Sequence, residues 1–166
     1  MWVKVERRLF RRSAIIVKVE IMFLGQYEHS IDEKGRMTIP VRFRELLSDG
    51  AYITHGLDKN LLVLTPSIFD QIYQSVNQMN QMDPNARNLK RLFFGNAEKV
   101  DVDKAGRILI PQFLRQSALL DGSAIVVGVG NFFEVWSTEA WEKQTQSFDN
   151  VESDPQRFGG LNLSLL

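Results

Sequence analysis

The ten residues Ile31-Asp32-Glu33-Lys34-Gly35-Arg36-Met37-Thr38-Ile39-Pro40 return as Val102-Asp103-Lys104-Ala105-Gly106-Arg107-Ile108-Leu109-Ile110-Pro111, displaced by 71 positions without a gap. Asp, Gly, Arg, Ile and Pro coincide, and Ile31 and Met37 are replaced by other apolar residues. Self-similarity over this span at one fixed offset marks a duplicated structural unit. Within each copy, alternating apolar residues flank a three-residue loop that ends in glycine. A glycine there supplies the positive φ that a hairpin with a bulge requires, so Gly35 and Gly106 are read as turn glycines. Pro40 and Pro111 would interrupt a central strand but suit the first turn of a helix.

The likeness extends outward. Gly25 precedes the first copy and Gly95 the second. After each proline come a short helical pattern, with Phe43, Leu46 and Leu47 at helical spacing in the first copy, and then Asp-Gly (Asp49-Gly50, Asp121-Gly122). Apolar strands at 51–54 and 124–127 follow, then strands at 61–64 and 132–136. Helix starts at Thr65-Pro66 and Ser137-Thr138-Glu139 close each unit. Thr65 reads as an N-cap, with Ile68, Phe69, Ile72, Tyr73 and Val76 on one apolar stripe. A second helix should begin at Asp83-Pro84 and run to about Phe94. The expected fold is therefore α+β and mainly β, a tandem duplication with short helices and a pseudo-two-fold inside one chain. Its parts are repeat 1 at 26–72, a helical connector at 73–96 and repeat 2 at 97–143. Residues 1–21, basic and without counterpart before the second copy, read as an arm or as an over-extended start preceding Met22. The segment 149–166, with Pro155, Gly159 and Gly160, reads as a mobile tail.

Composition removes several functional classes. The chain has 166 residues, no cysteine and two histidines, His29 and His55, far apart in sequence. Disulfide scaffolds, thiol catalysis and Cys-based zinc sites are excluded, and no metal or cofactor site is expected. No apolar run approaches the roughly 20 residues of a membrane-spanning helix. Net charge is zero, yet residues 1–21 hold six basic against two acidic side chains. Recognition of an anionic partner depends on where cations gather rather than on their total.

The Asp-x-x-x-Arg pair of each copy is the candidate site. Residues four apart flank the base of a three-residue loop, so Asp32 can orient Arg36, and Asp103 can orient Arg107, by charge-assisted hydrogen bonds. A guanidinium held in this way offers its remaining donors to phosphate oxygens or guanine edges. Lys34 and Lys104, read as loop lysines at matched places, would add phosphate attraction independent of sequence. Two such hairpins side by side would present a β-ribbon to a groove of double-stranded DNA. A solvated Asp–Arg pair is ordinarily worth a kcal/mol or less, and it is the repetition that argues for a working surface.

An enzyme would draw on Asp32, Glu33, Asp101, Asp103 and His29, but no nucleophile elbow, phosphate-cradling loop or metal-ligand spacing accompanies them. His29 aligns with Val100, which points to packing rather than chemistry. A protein-interaction module of antitoxin type would more usually have one copy and a long tail. No catalytic residue and no small-molecule substrate are expected.

The stretch from Met22-Phe23-Leu24-Gly25 to about Phe148 resembles the MraZ family. The likeness rests on both Asp-x-x-x-Arg motifs, Gly56-Leu57-Asp58, Leu92-Phe93-Phe94-Gly95 and Asn131-Phe132-Phe133-Glu134-Val135-Trp136. Each half is similar to a SpoVT/AbrB-type unit. The resemblance implies a swapped-hairpin β-barrel and assembly into an octameric or dodecameric ring. It further implies a cytoplasmic, nucleoid-associated regulator that binds repeated short G-rich promoter boxes. Such regulators usually repress the cell-division and cell-wall gene cluster. Family DNA contact maps onto Arg36 and Arg107, and onto Lys34 and Lys104.

Overall fold

A computed structural model describes residues 22–149. What was expected of residues 1–21, and of the tail after Asp149, lies outside the described residues. The first unit contains β1 (Phe23–Ser30), β2 (Arg36–Thr38), α1 (Val41–Arg44) continuing into a 3-10 turn (Glu45–Leu47), β3 (Ala51–His55), β4 (Leu61–Leu64) and α2 (Pro66–Asn77). After α3 (Pro84–Phe94), the second unit contains β5 (Glu98–Val100), β6 (Arg107–Leu109), α4 (Gln112–Ser117), β7 (Ser123–Gly130), β8 (Phe132–Trp136) and α5 (Thr138–Asp149). The order anticipated from the duplication is the order observed.

Local chemistry accounts for the boundaries. Thr65 caps α2 by accepting from the Ile68 N–H at 3.4 Å, and Asp83 caps α3 by accepting from Asn85 at 2.8 Å. Pro40 and Pro111 stand one residue earlier than expected, at the cap positions of α1 and α4, with extended ψ of 134° and 145°. Gly35 and Gly106 have φ of +82° and +74°, as the bulged hairpin demands. In each loop the glycine N–H donates to the aspartate carbonyl, at 2.8 and 2.9 Å.

The pairing of the strands differs from a simple pair of hairpins. The arms of the first hairpin meet only at an isolated Ile31–Met37 bridge. β1 instead runs antiparallel to β7 over eight residues, while β5 runs antiparallel to β3. Each unit thus lends its first strand to the other. The main sheet reads β1-β7-β8-β4-β3-β5, an order unchanged when the two units are exchanged, and β2 pairs with β6 in a separate ribbon. A closed barrel does not form among the described residues. β1 and β5 each have one partner strand and remain edges, and the three-residue strands β2 and β6 satisfy their backbone groups with each other.

The core lies between ribbon and sheet. Met37, Ile39, Ile108 and Ile110 are fully buried beneath the ribbon. Each such side chain contributes about 1.5–3 kcal/mol of apolar burial. Phe23, Phe43 and Phe133 form an aromatic triangle with ring centroids 5.0–5.3 Å apart, which fastens β1 and α1 to β8.

Candidate nucleic-acid interface

Pairing of β2 with β6 places Arg36 opposite Leu109, Met37 opposite Ile108 and Thr38 opposite Arg107. Because side chains alternate along a strand, Met37 and Ile108 point into the core. Arg36, Thr38, Arg107 and Leu109 therefore share the outer face. Both guanidinium groups lie on this one face and both are partly exposed, at 35% for Arg36 and 30% for Arg107.

Each aspartate holds its loop and its arginine together. Asp32 Oδ1 accepts from the backbone N–H of Lys34 at 3.0 Å and of Arg36 at 2.9 Å, while Oδ2 accepts from Arg36 Nε at 2.7 Å. Asp103 repeats the pattern with the N–H groups of Ala105 and Arg107, both at 2.9 Å. Its Oδ2 takes Arg107 Nε at 2.9 Å and Nη2 at 2.8 Å. Arg107 Nη1 also reaches Asp32 Oδ2 at 3.9 Å, so the two motifs touch across the ribbon. Charged carboxylates accept these bonds best. The Asp32 carboxyl is accordingly held below the usual range, chiefly by the Arg36 N–H, and Asp103 chiefly by the Arg107 side chain. Arg107 is in turn pushed up by Asp103. The stabilisation from these carboxylates is present at neutral pH and is lost only as pH falls through their depressed values.

The lysines are less symmetrical than the sequence reading had them. At the repeat offset Lys34 coincides with Ala105, and Lys104 with Glu33, so they occupy neighbouring rather than matched places. Both are exposed on their loops.

Sequence reasoning passed over Arg44 and Arg115. Arg44 Nε donates to the Ile39 carbonyl at 3.0 Å, and Arg115 Nε to the Ile110 carbonyl at 3.1 Å. Each guanidinium lies against the hairpin glycine of the opposite unit. A Cβ on Gly35 would fall 2.7 Å from Arg115 Cζ, and one on Gly106 would overlap the Arg44 guanidinium. Alongside them the Ile39 N–H donates to Gly106 O at 2.8 Å, and the Ile110 N–H to Gly35 O at 2.9 Å. A side chain at either turn would push the facing guanidinium aside, and it is the positive φ that favours glycine there. The missed signal was the offset itself, since Arg44 and Arg115 are also 71 residues apart.

His29 is half-buried on β1, its ring 6.5 Å from that of Tyr27. Burial, and then the charge of Arg44, lower its pKa. Protonation therefore favours the unfolded chain, and stability falls as pH drops through the ordinary histidine value of about 6.5. Replacing His29 by valine, the residue at the equivalent position 100, should shrink the difference between urea midpoints measured at neutral and mildly acid pH. An undiminished difference would assign the acid sensitivity to other groups.

With this geometry in view, comparison with known proteins is decisive. Residues 22–92 and 93–158 each match the family model described as "MraZ protein, putative antitoxin-like". The chain belongs to the MraZ family. It is 43% identical over 127 residues to the transcriptional regulator MraZ of Herpetosiphon aurantiacus, an alignment covering 76% of this chain and 89% of that protein. It is 41% identical to the MraZ of Roseiflexus sp. strain RS-1 and 40% to that of Roseiflexus castenholzii, each over 77% of this chain and 90% of the relative. Among the described residues no group of three or more His, Asp or Glu side chains is placed to hold a metal ion. No helix among them is long and apolar enough to cross a membrane.

Proposed function

We propose that this MraZ-family chain is a sequence-specific, double-stranded-DNA-binding regulator whose contact surface is the β2–β6 ribbon. The observation that carries the reading is the convergence of Arg36 and Arg107 on one exposed face, each fixed by its own aspartate. Prefixed guanidinium groups lose less freedom on engaging guanine O6 and N7 or phosphate than free ones. Lys34 and Lys104 supply non-specific phosphate attraction. Repeats 26–72 and 97–143, joined by 73–96, act as two SpoVT/AbrB-type units, a reading supported by their strand exchange. Assembly into an octameric or dodecameric ring would multiply the arginine face of a chain with no net charge and raise avidity for repeated G-rich boxes. The regulated genes would be the cell-division and cell-wall cluster, usually repressed, with the protein in the cytoplasm on the nucleoid.

An enzymatic role is disfavoured by the geometry. Asp32 and Asp103 have their oxygens engaged by N–H donors and guanidinium groups, which leaves a general base little free lone-pair capacity.

The direct test is titration of the full chain with the duplex upstream of its own gene and with a scrambled duplex of equal composition. Specific recognition predicts tighter binding to the first by about a thousandfold or more at physiological salt. Replacing Lys34 and Lys104 by alanine should reduce the salt slope by about two phosphate contacts while preserving discrimination. Equal affinity for the two duplexes would reject the proposal.

A further inference from the structure

The arginines of the ribbon obey the pseudo-two-fold, whereas their neighbours do not. Where the first unit has Thr38, the second has Leu109, and where the first has Glu33, the second has Lys104. Among the described residues the ion pairs also break the symmetry: Arg107 reaches Asp32, and no Arg36–Asp103 pair answers it. Leu109 is 54% exposed and stands directly opposite Arg36 in the ribbon. Its place is not explained by the core, because Ile108, pointing the other way, is the residue that fills the interior. A leucine set among Arg36, Thr38 and Arg107 keeps an apolar side chain in water on the surface proposed to meet DNA.

We propose that Leu109 is a specificity-determining residue that packs on the C5-methyl group of a thymine, a proposal that rests on the DNA-binding reading above. The thymine methyl is the one apolar group that a base edge presents in the major groove, and apolar side chains recognise it by contact. Alternate residues of a strand lie about 6.6 Å apart. That is close to two base-pair steps of about 3.4 Å, so the thymine lies within two base pairs of a base met by Arg107. Thr38 offers a smaller contact at the equivalent place. The two hairpins consequently read different bases, and the bound site has a direction rather than a dyad. Lys104 in place of Glu33, offset in part by Ala105 in place of Lys34, leaves the second loop one positive charge ahead of the first.

The experiment uses the full chain and a set of duplexes spanning its own upstream region, each with one thymine replaced by deoxyuridine, which lacks only the methyl group. Loss of one buried methyl corresponds to about fourfold in affinity, and wild-type binding should weaken by that factor at one or a few positions. Leu109→Ser should bind the natural duplex less tightly and make no distinction at those same positions. Leu109→Asn, polar and close to leucine in size, serves if the serine variant folds poorly. Wild-type indifference to every deoxyuridine, with discrimination against a scrambled duplex intact, overturns the role of Leu109 alone. Absence of that discrimination overturns the DNA-binding reading itself. A change in assembly size in Leu109→Ser without any thymine effect makes Leu109 a contact between copies and likewise overturns the proposal.

Discussion

Replacing Arg36 and Arg107 together by alanine is expected to remove specific binding to the upstream duplex while leaving the fold in place. A well-placed bidentate arginine discriminates by about 1–3 kcal/mol, so the pair accounts for roughly 2–6 kcal/mol, or about thirty- to twenty-thousandfold in affinity. In an oligomer the loss recurs at every copy. Stability should change little, because both side chains are partly exposed and solvent-screened ion pairs of this kind contribute little. The lysine variants separate charge from geometry. Arg36→Lys with Arg107→Lys keeps the charge and most of the salt dependence, but cannot reproduce the fork or the Nε bond to each aspartate. Discrimination between operator and scrambled duplex should therefore collapse while non-specific affinity persists. Fluorescence anisotropy at several salt concentrations, with urea unfolding of the same preparations, reads both quantities. Unchanged operator affinity in the double alanine variant would remove the ribbon from the interface.

The largest effect on stability is expected at Gly128, on β7 opposite Gly25 of β1. A Cβ at residue 128 would lie 2.5 Å from Leu24 N and would overlap the Phe23 carbonyl group. These are backbone atoms of the paired strand, so no rotamer change relieves the contact and β1 must move. β1 carries Phe23, 2% exposed, into the triangle with Phe43 and Phe133. Displacing it forfeits that burial, at a cost comparable to a Phe→Ala change in a core, about 3–5 kcal/mol. Gly130→Ala is the informative comparison. There a Cβ meets nothing within 4 Å, and only the positive φ of +96° resists substitution. That strain costs about 1–2 kcal/mol. Urea midpoints for the two variants should differ accordingly, and a Gly128→Ala protein within 1 kcal/mol of wild type would show that β1 pairs more loosely than its register indicates.

Much of this architecture was legible before any coordinates. The offset of the Asp-x-x-x-Arg motifs, the loop glycines, the cap at Thr65, the helix start at Asp83-Pro84 and, to within one residue, the place of the prolines at α1 and α4 are local signals, and local sterics and hydrogen bonds produce them. Aspartate four residues before arginine across a tight loop is likewise a local geometry, so the orienting contacts of Asp32 and Asp103 followed from spacing alone. Arg44 and Arg115 escaped notice because what each one does depends on a glycine in the other half of the chain. The same holds for Gly128, an unremarked residue of an apolar strand until β1 is laid across it.

The amino-acid order by itself determined the duplicated unit, its turns and the identity of the paired side chains, since each of these is settled by interactions among residues close in the chain. Which strand pairs with which was decided only by the tertiary structure. An edge strand can satisfy its hydrogen bonds with any suitable partner, and here β1 pairs with β7 and β5 with β3, each in the opposite unit. That exchange, and the meeting of β2 with β6, is what brings two distant arginines onto one face.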